Sequence, residues 1–277
     1  MKSLLIADAQ AHVWAAPSHE RPWPVKNPPH IPHKGRQAFL AEELLQEMDA
    51  AGVQSVVLTP PGWQGDHDHD LEFAAVQQYP DRFAIMGRLD VSAPGARDRI
   101  RTWNHRPGML GLRFGPQLPP DSMDWVWYEA QAARLPIMLS AGGQLQRVDR
   151  IAHAYPELRL IVDHFGAPSR TKDQRAFADF DQLLALAKRS NVAVKASSLP
   201  SFVTDVYPYR WLHPYIQRAY DAFGNKRLFW GSDLSNSPCS YRQTIALYTE
   251  ELPWLSEEDK QWIMGRGLCE WINWKLY

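Results

Sequence analysis

The chain has 277 residues, 45% hydrophobic and 22% charged, with a net charge of −1. That length and composition suit a globular protein with a large core, and the near-zero charge gives no electrostatic basis for binding nucleic acid or a membrane surface. The two cysteines, Cys239 and Cys269, suggest no disulfide framework.

The first apolar run, Leu4-Leu5-Ile6, is interrupted by Asp8. It is too short for a signal peptide, and no run approaches the ~18 apolar residues of a membrane span, so a cytoplasmic protein is expected. The run leads into Asp8-Ala9-Gln10-Ala11-His12-Val13-Trp14. Residues two apart on a strand face the same way, so Gln10 and His12 should project together from its end. A histidine at 10 would complete a His-x-His metal grip; glutamine is instead an amide, a hydrogen-bonding group and a poor zinc ligand.

A long irregular stretch rich in Pro and His, Pro17 to Lys34, follows, with His30, His33 and Trp23 in it. A loop of this length inside a compact domain is usually functional or a lid. From there strand-like runs alternate with amphipathic segments. Strands are predicted near 4–9, 53–59, 83–89, 109–114, 136–140, 158–163, 191–196 and 227–232. Helical patterns lie at 38–51, 69–79, 122–134, 145–155, 174–189 and 210–223. The strands start about 32 residues apart, the size of a βα unit. The pattern predicts a (β/α)8 barrel with a long loop after strand 1, formed by residues 1–277 as one domain. A doubly wound open sheet is the rival, weakened because no Gly-x-Gly-x-x-Gly follows strand 1.

Chemistry in such barrels sits at the C-terminal strand ends. In order, those ends carry Gln10 and His12, Thr59, Arg88 and Asp90, Arg113, Ser140, Asp163 and His164, Lys195 and Ser197, and Asp233. Plainer roles compete: Asp233 as a helix cap, Asp8 as a structural acid, and Arg113 or Lys195 as internal ion-pair partners. The run Asp66-His67-Asp68-His69-Asp70 fits a solvated helix start better than a metal site. Trp14, Trp23 and Trp63 are candidates to wall a pocket.

Five segments in order carry a more specific signal: Asp8 to Trp14, Gly111 to Phe114, Leu160 to Gly166, Val194 to Ser197 and Leu228 to Asp233, with a closing segment from Ile263 to Trp271. Together they resemble the amidohydrolase superfamily, in the amidohydrolase-related branch that includes 2-pyrone-4,6-dicarboxylate hydrolase and other lactonases and, more distantly, decarboxylases. The resemblance implies hydrolysis of a small carboxylated lactone or cyclic ester. Asp233 would take a proton from water, with His12 and His164 also catalytic. Gln10, Arg113, Arg88, Ser140 and Lys195 would bind substrate. Two departures stand out: Gln10 replaces the first histidine of His-x-His, and Ser140 stands where the strand 5 histidine commonly lies. They lead to an expectation of no cofactor. The alternative is one divalent metal, zinc or manganese, on His12, His164 and Asp233, in an amidohydrolase or decarboxylase. A third alternative is an inert ligand-binding relative. The expected partner is a small anionic substrate, with no nucleic acid or membrane, and assembly into a homo-oligomer is left open.

Overall fold

Eight parallel strands in the order β1 to β8 form one sheet in the computed structural model, which describes residues 4–20, 22, 35–62 and 69–276. The strands are β1 (Ala7–Ala11), β2 (Ser55–Leu58), β3 (Phe83–Gly87), β4 (Met109–Phe114), β5 (Ile137–Leu139), β6 (Leu160–Val162), β7 (Val192–Ser197) and β8 (Leu228–Gly231). The sheet curls until its last strand lies beside its first: just past β8, the Asp233 N–H donates to the Gln10 carbonyl at 3.0 Å. All eight predicted strands are present, and the barrel reading holds over the open sheet.

Nearly every strand residue is buried, because the two faces of a barrel strand pack against different things. Ala9, Val57, Ala84, Met86, Met138, Ile161, Ala193 and Phe229 fill the interior, closed at one end by Cys269, Ile272 and Trp274. Their strand neighbours Val56, Ile85, Leu112, Leu139, Val162, Val194 and Trp230 pack outward with the helices. This period of two is the alternation the sequence shows only faintly, since both faces are apolar. Gly111 on β4 illustrates the tightness: a Cβ there would run into the Pro136 carbonyl and the Met86 side chain. Gly111→Ala should therefore cost about 1–3 kcal/mol, read as a lower urea midpoint at unchanged slope.

The helices between strands are α1 (Ala41–Ala51), α2 (Asp70–Gln78), α3 (Ala96–Arg101), α4 (Trp125–Ala132), α5 (Leu145–Ala154), α6 (Asp173–Ala176), α7 (Phe180–Ala185) and α8 (His213–Phe223). After β8 come α9 (Tyr241–Thr249), α10 (Glu257–Gln261) and α11 (Gly267–Trp271). In α1, Ala41, Leu44 and Met48 are buried at helical spacing. Glu43 accepts from the Leu40 N–H at its start, and Gly52 ends it at φ 76, a conformation glycine adopts without steric cost. The predicted 174–189 helix is two short helices and a 3-10 turn (Leu186–Lys188). α3 and the last three helices were not predicted.

Most of the long loop after β1, with Trp23, His30 and His33, lies outside the described residues, as do Trp63, Asp66, His67 and Asp68. Among the described residues no helix is long and apolar enough to cross a membrane.

Candidate active site

The first strand changes parity as it reaches the mouth. Ala7 and Ala9 face the barrel interior, yet Gln10 and His12 also reach the central cavity, because the pairing with β2 shifts register between Asp8 and Ala11. Asp8 anchors that irregularity. It is fully buried and accepts from the Gln10 N–H at 2.9 Å, the Ser232 N–H at 2.8 Å and the Tyr241 hydroxyl at 2.6 Å, and from the Ser232 hydroxyl. Burial raises its carboxyl above the usual range even against those four donors. Asp8 is thus a clasp between the first and last strands.

Four groups converge above it. The Nε2 atom of His12 lies 3.2 Å from Oδ1 of Asp233. The Gln10 amide nitrogen lies 3.4 Å from Nε2 of His12 and 3.4 Å from Nε2 of His164. Each imidazole is fixed from behind through Nδ1. For His12 that atom meets the Thr59 carbonyl at 2.5 Å; for His164 it meets the Ser197 carbonyl at 3.1 Å. The Thr59 and Ser197 hydroxyls also reach these Nδ1 atoms, at 3.1 Å and 2.9 Å, and both Nε2 atoms face the centre.

Backbone geometry aims these groups. His164, Phe165, Ser198 and Asp233 all have left-handed φ, of 54°, 54°, 59° and 49°. Non-glycine residues rarely adopt this conformation, and here it turns the chain sharply at the ends of β6, β7 and β8. The Asp233 carboxylate also accepts from the Asn236 amide, 3.1 Å to each oxygen. Burial by itself would raise the Asp233 carboxyl; His12, then His164 and the Ser198 hydroxyl outweigh it and hold the group well below the usual range. Asp233 is therefore a carboxylate at any working pH. Burial lowers the His164 imidazole, opposed by Asp233 and Asp163, so His164 is neutral near pH 7.

A second layer lies beneath. Lys195, with no exposed surface, forms an ion pair with Asp163 at 2.8 Å and donates to the Gln10 Oε1 at 2.6 Å. Arg113 donates from Nε to the other Asp163 oxygen at 2.9 Å and lines the cavity. Burial pushes the Asp163 carboxyl up; Lys195 and Arg113 overcome this and bring it down to about 2.

The cavity has a volume of about 610 Å³ and holds Gln10, His12, Arg113, Ser140, His164 and Asp233 in one wall system. Lys195 and Arg88 are not on that wall. Lys195 lies under it, and Arg88 turns its guanidinium to the Gly115 carbonyl at 3.0 Å. His69 accepts from the Arg88 N–H at 2.9 Å, so of the acidic and histidine run it is a framework residue. Sequence reasoning missed Arg170, Lys172, Ser198 and Asn236 at the mouth. Only Asn236 had a local signal, three residues beyond Asp233 and suited to a side-chain hydrogen bond.

His12, His164 and Asp233 are ligand types, and three protein ligands plus water is the usual catalytic zinc arrangement. The Gln10 amide breaks the cluster. Its oxygen is held by Lys195, so its nitrogen, which donates and has no free lone pair, faces the two imidazoles. Among the described residues, no group of three or more His, Cys, Asp and Glu side chains is placed to hold a metal ion. As placed, the Gln10 amide nitrogen offers no lone pair to a metal between the two imidazoles.

The amidohydrolase family profile matches residues 7–266, and the chain belongs to that family. It is 27% identical over 239 residues to an L-fucono-1,5-lactonase of Burkholderia ambifaria, covering 82% of this chain and 79% of that one. Among solved structures, a Burkholderia multivorans amidohydrolase with bound zinc superposes at a TM-score of 0.80 with 21% identity, over 97% of this chain and 99% of that one. A probable 2-pyrone-4,6-dicarboxylic acid hydrolase of Acinetobacter baumannii with citric acid bound superposes at 0.74 with 18% identity, over 97% and 99%.

Proposed function

We propose that this chain, as one barrel domain, hydrolyses a small anionic lactone without a metal. The observation that carries the reading is the convergence of Asp233, His12, His164 and Gln10 on one cavity whose wall includes Arg113. The similarity to a lactonase supports the substrate class.

Each group has a chemical part. Water held at Asp233 attacks the lactone carbonyl carbon while the carboxylate takes its proton. The Gln10 N–H groups make only long contacts of 3.4 Å to the imidazoles, so they stay available to donate to the carbonyl oxygen as charge develops on it. The His12 ring, with Nε2 3.2 Å from Oδ1 of Asp233, orients the carboxylate. The ring C–O bond then breaks, and Asp233 returns the proton to the departing alkoxide, giving a hydroxy acid. Arg113 has engaged only Nε among the described residues, so its two terminal nitrogens suit a bidentate grip on a substrate carboxylate. Ser140 offers a hydroxyl at the same wall.

Purified protein should turn over members of a panel of sugar-acid and carboxylated lactones, with equal rates before and after chelator treatment. Failure on every lactone would reject the activity. Activity restored by stoichiometric zinc or manganese would reject the metal-free part. Binding of lactones without turnover would identify an inert relative.

A further inference from the structure

The buried ammonium of Lys195 has no access to the cavity, yet it touches one of the groups that does. Its Nζ lies 2.6 Å from the Gln10 Oε1 and 2.8 Å from the Asp163 Oδ1, with the Met138 sulfur at 3.3 Å. An amide side chain left to itself can take either of two orientations related by a flip. Here only one avoids conflict: reversal would place the Gln10 NH2 group against an ammonium, two donors facing each other.

We propose that Lys195 is a positioning residue that locks the Gln10 amide, so that its N–H groups face the reacting carbonyl, and that strengthens them as donors. The proposal rests on the lactone-hydrolase reading. A carbonyl oxygen bonded to a cation withdraws electron density from its amide nitrogen, and chained hydrogen bonds reinforce one another in a dry interior. The positive charge of Lys195 thereby reaches the developing oxyanion through one amide group. Asp163 holds the ammonium charged against burial, which lowers its pKa, and Arg113 holds Asp163 from the other side. Strands β4, β6, β7 and β1 are joined in that order by Arg113, Asp163, Lys195 and Gln10.

The test compares Lys195→Met, Gln10→Leu, Gln10→Glu and the Lys195→Met/Gln10→Leu double variant, using whichever lactone of the panel the native protein turns over. Each single variant should lower kcat about 100-fold, the scale of one lost oxyanion donor, with KM changed less than about threefold. The double variant should be no slower than the worse single one, because both remove the same donor. Gln10→Glu keeps the Lys195 contact and an ion pair, so it tests the orientation even if Lys195→Met does not fold. Retained activity in Gln10→Glu, a raised KM at unchanged kcat in Lys195→Met, or multiplicative losses in the double variant would each overturn the proposal. The Gln10 side-chain amide signals in a 15N–1H spectrum, identified by their loss in Gln10→Leu, should move in Lys195→Met; unmoved signals would overturn it without reference to activity. If the native protein turns over no lactone, the parent reading fails, and the amide signals still decide the role of Lys195.

Discussion

Asp233→Asn should leave a folded protein whose kcat on lactone falls about 10³-fold, within the 10²–10⁴ that a positioned base contributes. The amide keeps the shape of the carboxylate and can still meet Asn236 and His12, so the unfolding midpoint should stay close to native. What it loses is the capacity to accept a proton from water. Steady-state kinetics and a thermal melt on the same preparation check both halves. A native kcat would remove Asp233 from the base role and leave its contact with Asn236, three residues on, as a turn-stabilising bond. The low pKa of Asp233 adds a pH expectation. An ionised base needs no deprotonation, so the rate should show no acid limb in the ordinary carboxylate range near pH 4.

The second large effect is on stability. Asp163→Asn strips the counter-charge from a fully buried ammonium and should cost about 3–5 kcal/mol at pH 7, read by urea unfolding. The native pair has its own pH signature. Lys195 and Arg113 bring Asp163 down to about 2 in the fold from the usual 3.8, so its stabilising contribution is complete above about pH 4. It fades as pH falls towards 2, and amounts to about 2 kcal/mol. Asp163→Asn should lose that portion of the acid sensitivity. An unchanged acid profile would show that other carboxylates set it.

Much of this architecture is legible in the sequence. Eight apolar runs at even spacing predict the barrel, because a parallel strand buried on both faces must be apolar throughout. The strand ends then name His12, His164, Asp233, Gln10 and Arg113, all of which line the mouth. Lys195 and Arg88 share such positions but serve differently. Lys195 stops one layer short and bonds sideways to Asp163 and Gln10. Arg88 bends back onto a carbonyl. Side-chain direction depends on partners brought by other strands, which no local pattern records. Arg170 and Lys172 escaped for a related reason: the loop after β6 is placed over the mouth by its own backbone path, including a left-handed Arg170 at φ 62. The short α3 has too few turns for a helical period to stand out.

The left-handed backbone at His164, Phe165, Ser198 and Asp233 has a consequence for how this protein can change. Each such residue costs roughly 1–2 kcal/mol that glycine would largely avoid. Selection for heat resistance alone therefore has an easy route, glycine at these positions, and that route removes the imidazole and the carboxylate from the mouth. Selection for turnover has the opposite tendency and must recover tolerance elsewhere, in the helices and the interior packing. Any variant bred only for toughness should be assayed first for whether 164 and 233 have kept their side chains.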